Sequence, residues 1–118
     1  MKTAFYAPCL FSLLLLATSA VADCAYPKPP DVMPDGASAT KEDMVTAAAA
    51  YKQYNTDVDA YVTCLDSETE TKVKEASGVS AVMQIKALQA KKKTSAMDER
   101  QAKIEEFNKQ IRNFKSKG

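Results

Sequence analysis

Two stripes of apolar positions organise the chain. Met44, Ala47, Tyr51, Tyr54, Val58, Tyr61 and Leu65 recur at alternating spacings of three and four. That spacing places them on one face of a long helix. Met97, Arg100, Ile104, Phe107, Ile111 and Phe114 repeat the pattern near the other end. Arg100 is the polar member, and its aliphatic stem can pack while its head reaches water.

Boundary signals frame both stripes. Pro34-Asp35-Gly36 is a turn signal. Thr40 then precedes Lys41-Glu42-Asp43, an N-cap with an acidic first turn and a Thr-x-x-Asp capping box. Gly78 follows Lys72 and Lys74 and reads as the end of the first helix, with Ser80 placed to cap the next. If the chain reverses there, facing residues must have numbers with a constant total. Met44 with Phe114, Tyr51 with Phe107, Tyr54 with Ile104 and Tyr61 with Met97 all total 158, which centres the reversal beside Gly78. Val73 with Ile85 and Ala76 with Val82 continue the match, whereas Leu65 meets Lys93.

The pattern therefore predicts an all-α fold, an antiparallel two-helix hairpin with helices over about 40–77 and 80–116. The alternative is a three-helix bundle broken at Lys91-Lys92-Lys93-Thr94-Ser95, where Ser95-x-x-Asp98 is a further capping box and Ser67-x-x-Glu70 can cap the middle helix.

The segments before the hairpin read differently. Residues 1–22 have the form of a secretory signal peptide: Lys2, an apolar run through Leu13 to Leu16, and Ala20-Val21-Ala22 as the cleavage site. Pro8, Ser12, Thr18 and Ser19 break the run, which falls short of the roughly 20 apolar residues of a membrane span. Asp23 before Cys24 disfavours a lipid-attachment site. Residues 23–39 hold Pro27, Pro29, Pro30 and Pro34 and predict an extended arm.

With residues 1–22 removed, Cys24 and Cys64 remain. In an exported chain two cysteines point to one disulfide, the alternatives being free thiols or an intermolecular bridge. The arm has the reach for an internal bond. Sixteen residues from Cys24 to Thr40 span roughly 50 Å as polyproline. Cys64 lies roughly 36 Å along the helix from Thr40. The expectation is an arm folded back along the first helix, with Tyr26 and the prolines over flanks such as Ala48, Ala50 and Val62.

Charge adds an asymmetry. Residues 23–70 carry ten acids and three bases, whereas residues 71–118 carry five acids and twelve bases. The two halves, at −7 and +7, match each other or two separate partners.

Three sets of residues carry the resemblance to a known group: Cys24 with Tyr26-Pro27 and Pro34-Asp35-Gly36; Tyr61-Val62-Thr63-Cys64-Leu65; and Phe107-Asn108-Lys109-Gln110-Ile111-Arg112. Together they resemble a group of small exported bacterial proteins with a Cys/Pro-rich arm, Tyr-x-x-Cys-Leu and Phe-Asn-x-Gln-Ile-Arg. The chain departs from that pattern at Lys93-Thr94, where the group has His-Asn. The resemblance implies export and paired cysteines, and no catalytic residue.

Chemistry-bearing patterns are sparse. The chain has no histidine, no nucleophile set beside a base, no phosphate-cradling glycine loop and no metal-ligand spacing. No catalytic residue, cofactor, metal or small-molecule substrate is expected. Asn55 to Asp66 echoes a calcium-binding loop, but Ala60 stands where that loop needs glycine and the apolar stripe runs through it, so a solvated acidic helix face is the better account. Tyr51, Tyr54 and Tyr61 read as seam residues before they read as an aromatic binding surface. The candidate interaction surface is Lys91, Lys92, Lys93, Arg100, Lys103, Lys109 and Arg112. Asp98, Glu99, Glu105 and Glu106 interrupt it, and an exported chain rarely meets nucleic acid, so no nucleic-acid partner is expected.

The reading is an exported, non-enzymatic protein-interaction or scaffold protein of the bacterial periplasm, pairing with itself or another protein; Val62, Met83 and Leu88 lie off the main seam. The alternative is a peripheral binder of anionic membrane or envelope surfaces through the basic helix.

Overall fold

A computed structural model describes residues 23–118; the signal-peptide reading of residues 1–22, with Cys9, lies outside the described residues. The described chain is an extended arm followed by two antiparallel helices, α1 (Lys41–Glu75) and α2 (Val79–Ser116). At 1.5 Å per residue they are roughly 52 and 57 Å long. No helix is long and apolar enough to cross a membrane among the described residues.

α1 starts as its sequence dictates. Thr40 Oγ1 accepts from the Asp43 N–H at 3.1 Å, and the Thr40 N–H donates to Asp43 Oδ2 at 3.0 Å. Two donors that the helix start would leave unpaired are thereby satisfied. The bond from the Thr40 N–H holds the Asp43 carboxyl below its usual range.

The reversal differs from expectation. Ala76 closes α1 in extended backbone, its N–H bonded to the Val73 carbonyl. Gly78, at φ +90° and ψ 160°, is the N-cap of α2 and not the tail of α1. Side chains are excluded from that conformation by their Cβ, so glycine is required there. Ser80 consequently lies inside α2 and caps nothing. The three-helix alternative is overturned as well. Residues 91–95 are helical throughout, because three lysines and Thr94-Ser95 cost an exposed helix little and no glycine or proline interrupts it.

The hairpin register is the one the stripes predict. Tyr51 stacks on Phe107 with centroids 4.6 Å apart and planes at 15°. Met44, Ala47, Tyr51, Tyr54, Val58, Tyr61 and Leu65 are all buried. The α2 stripe is only partly right. Met97 is 45% exposed, and Ala96 and Gln89 are buried in its place. A straight helix of 3.6 residues per turn drifts by about 20° per heptad from a 3.5 repeat. Counting back from Phe107 at about 100° per residue, Gln89 returns to the same face and Ala96 lies about 20° from it, whereas Met97 lies about 80° away.

The arm folds back antiparallel to α1 and is bonded through Cys24–Cys64, as expected, and differs from expectation in where it packs. It lies against both helices, and not along the outer flank of α1. Tyr26 meets Tyr61 edge to face at 5.3 Å and donates to Glu99 Oε2 at 2.6 Å. The Tyr51 hydroxyl reaches Met33 Sδ at 3.7 Å. The Gly36 N–H donates to Gln110 Oε1 at 2.9 Å, and Lys117 Nζ donates to the Ala39 carbonyl at 2.5 Å. Between Tyr26 and Ala39 the arm thus runs antiparallel to α1 and parallel to α2, in the groove beside their seam. Val62 is half-buried, but Ala48 and Ala50 remain exposed. Two helices leave more apolar area in that groove, around Tyr51 and Tyr61, than on either outer flank.

Cys24 and Cys64 are joined, with Cα atoms 5.8 Å apart. The bond closes a loop of 41 residues, worth about 4 kcal/mol in the chain-entropy model. Over residues 39–64 and 96–117 the fold therefore has three strands of chain. Beyond Cys64 it is a bare two-helix hairpin.

Candidate functional site

Where the arm ends, the seam turns polar. Glu68 and Gln89 are buried. Lys72 Nζ lies 2.5 Å from Glu68 Oε1, and Gln89 Nε2 donates to Glu68 Oε2 at 3.3 Å. The Lys72 hydrogen bond, helped by Gln89, keeps the Glu68 carboxyl below its usual range against the cost of burial. Gln89 Oε1 is buried without a donor among the described residues. Sequence reading passed over this cluster, although Glu68-x-x-x-Lys72 is an ordinary i,i+4 pair. What it lacked was Gln89, which enters the seam through the helical drift of α2.

Of the seven basic residues singled out in the sequence, two turn inward to partners on α1. Arg100 Nη1 lies 2.6 Å from Asp59 Oδ1, and Lys93 Nζ lies 2.7 Å from Asp66 Oδ1. The opposed charges of the two halves are thus matched in part within the molecule. These pairs stand on the flank of the seam away from the arm. Asp59 and Asp66 are seven residues apart on one face of α1, while Asp57, Ala60 and Cys64 face the arm. Lys92 is half-buried, and its charge helps depress the Glu68 carboxyl. Lys91, Lys103, Lys109 and Arg112 are exposed. The seven are spread along α2 and not gathered at one point.

The tyrosine rings form no open aromatic surface. Tyr51, Tyr54 and Tyr61 are buried, and burial raises the hydroxyls of Tyr51 and Tyr54 above their usual range. Tyr26 is half-exposed, and its hydroxyl is raised first by its bond to Glu99. Residues 55–66 form the solvated helix face that was expected, continuous α-helix with Asp57, Asp59 and Asp66 exposed.

Exposed apolar side chains occur along the whole molecule, among them Val32 on the arm and Val45 and Met97 on the helices, and three lie on the part of α2 that the arm does not reach. Val79 is 76% exposed, Met83 66% and Leu88 55%. Val79 and Met83, one turn apart, share a flank of α2; Leu88, five residues further, stands on another. Beneath them Val73, Ala76, Val82 and Ile85 are only half-buried.

The arm also creates a groove near the start of α1. It is open and holds about 670 Å³, bounded by arm residues Pro30 to Asp35, by Ser38 and Ala39, and by Asp43, Thr46, Ala47 and Ala50. No family model, curated protein or solved structure matches the chain.

Proposed function

We propose that the protein is a non-enzymatic interaction or scaffold protein that docks a protein partner on the distal end of its hairpin. The observation behind this reading is the exposure of Val79, Met83 and Leu88 where the arm no longer reaches. A two-helix segment buries one seam and leaves both flanks bare, and exposed apolar side chains on such flanks, Val79 with Met83 on one and Leu88 on another, favour association. Export to the bacterial periplasm belongs to the same reading. It rests on the leader-like composition of residues 1–22, on the resemblance in the cysteine, tyrosine and Phe-Asn segments, and on a disulfide of a kind that persists in oxidising compartments.

The test places a photoreactive residue at Met83 and, as a control, at Lys109, followed by crosslinking in cells. The expected result is a discrete adduct from position 83 alone, lost when Val79, Met83 and Leu88 are replaced together by serine in a variant of unchanged helicity. A protein that stays monomeric at high concentration and forms no adduct at position 83 refutes the reading.

The exposure of Lys91, Lys103, Lys109 and Arg112 favours a second reading, peripheral binding to anionic membrane or envelope surfaces. Cosedimentation with anionic vesicles at low and high salt separates the two. Salt-sensitive pelleting supports the surface reading, and its absence at low salt removes it.

A further inference from the structure

The groove between the arm and α1 lies at the opposite end of the hairpin from Gly78, and what it can bind is independent of the distal reading. Its floor is apolar: Met33 and Pro34 from the arm, Ala47 and Ala50 from α1. Ala47 and Ala50 are small, so the groove exists because α1 sends no long side chain into it. Its volume of about 670 Å³ falls within the range of small-ligand and peptide sites.

The rim is acidic. Asp31, Asp35 and Asp43 are the charged residues of the lining, and no lysine or arginine belongs to it among the described residues. Asp35 accepts the Ala37 N–H at 2.9 Å and is otherwise exposed. Asp43 is held ionised by the capping box. Two bases touch the edge. Lys28 pairs with Asp31 at 2.9 Å, both side chains in solvent, and Lys117 reaches the Ala39 carbonyl from α2. An exposed pair such as Lys28–Asp31 is weak and yields to a competing cation. Val32, 74% exposed, stands at the lip and adds apolar contact.

We propose that this groove binds a basic, apolar-bearing peptide segment, its aliphatic or aromatic side chain on Ala47, Ala50 and Met33 and its ammonium or guanidinium groups among Asp31, Asp35 and Asp43. The three carboxylates repel anionic lipid and nucleic acid, and an apolar floor gives nothing to a simple metal ion. A cation alone gains little at exposed carboxylates, so the ligand must carry both features.

The test is an amide NMR titration of the purified protein with a capped hexapeptide alternating leucine and lysine, against its leucine–glutamate counterpart. The lysine peptide is expected to shift amides at Val32, Met33, Ala47 and Ala50, and the glutamate peptide to leave them still. Joint replacement Asp31→Asn and Asp35→Asn weakens binding about tenfold. Ala50→Met, at an exposed position that fills the groove, abolishes it with the thermal midpoint unchanged. Equal shifts with the glutamate peptide overturn the proposal. So does response confined to α2, or no response at about 5 mM peptide. Concentration-dependent shifts at the same amides without peptide would assign the groove to a second copy of the chain, and overturn it too.

Discussion

Replacing Gly36 by alanine tests the arm–helix packing at its tightest point. Gly36 is buried, and a Cβ there would overlap the carbonyl oxygen of Gln110 and lie 2.9 Å from the backbone nitrogen of Phe114. Both atoms belong to the α2 backbone and cannot rotate aside. The arm turn must therefore lift by roughly 1.5 Å before ordinary contact is restored. Lifting breaks the bond from the Gly36 N–H to Gln110 Oε1 and loosens buried Pro34 and the Lys117–Ala39 contact. Overpacking costs about 1–3 kcal/mol and the lost hydrogen bond about 1 kcal/mol. The expected loss is about 3 kcal/mol, read as a fall of about 1 M in the guanidinium midpoint for a small domain. Gly118→Ala is the control, since nothing lies within 4 Å of its Cβ position. A Gly36→Ala midpoint indistinguishable from that control would mean that the arm does not press on α2, and the three-stranded packing would fail with it.

Removing the disulfide by joint Cys24→Ser and Cys64→Ser is expected to cost about 4 kcal/mol in denaturant unfolding, from the entropy of a 41-residue loop; a loss below about 1 kcal/mol would show that the arm is held by its packing alone. Gly78→Ala meets no atom within 4 Å yet holds a φ of +90°, so its expected cost of about 1–3 kcal/mol is backbone strain alone. Calorimetry should place that loss without any change in the arm's amide exchange. Glu68 has a folded pKa below its unfolded value, so its stabilisation is complete above the ordinary glutamate range and disappears as pH falls through that range and then through the folded value. Glu68→Gln should therefore flatten the acid limb of the stability–pH curve, and an unchanged limb would contradict the pairing of that carboxylate with Lys72. A double-mutant cycle on Asp59 and Arg100 should give a coupling of about 1 kcal/mol or less, because the aspartate is largely in solvent.

Much of the fold is legible in the chain because its signals are local. The three-and-four spacing from Met44 to Leu65 defines a helix face, and the Thr40–Asp43 box needs four residues to close. Register follows from two stripes and a glycine, since an antiparallel pair has one sum to satisfy. Met97 was misplaced because a heptad rule was extended along a helix that does not keep it. The groove had no local signal. Ala47 and Ala50 look like ordinary helix-formers until an arm is set across from them.

The sequence alone determined the helical class, the start of the first helix, the register of an antiparallel pair and the reach of the arm, because each depends on near neighbours or on a single constant spacing; that the helices number two and that Cys24 bonds Cys64 came from the structure. Tertiary structure decided the rest. It placed the arm in the groove beside the seam, where one strand of chain covers two helices at once. It made Gly36 a contact glycine and Gly78 a conformational one, a distinction that composition cannot carry. It set Lys93 and Arg100 against α1 and left Val79, Met83 and Leu88 bare. The physical reason is shared: burial, close approach and charge pairing are properties of residues brought together from 20 to almost 80 positions apart, as in Glu68 with Gln89 and Ala39 with Lys117.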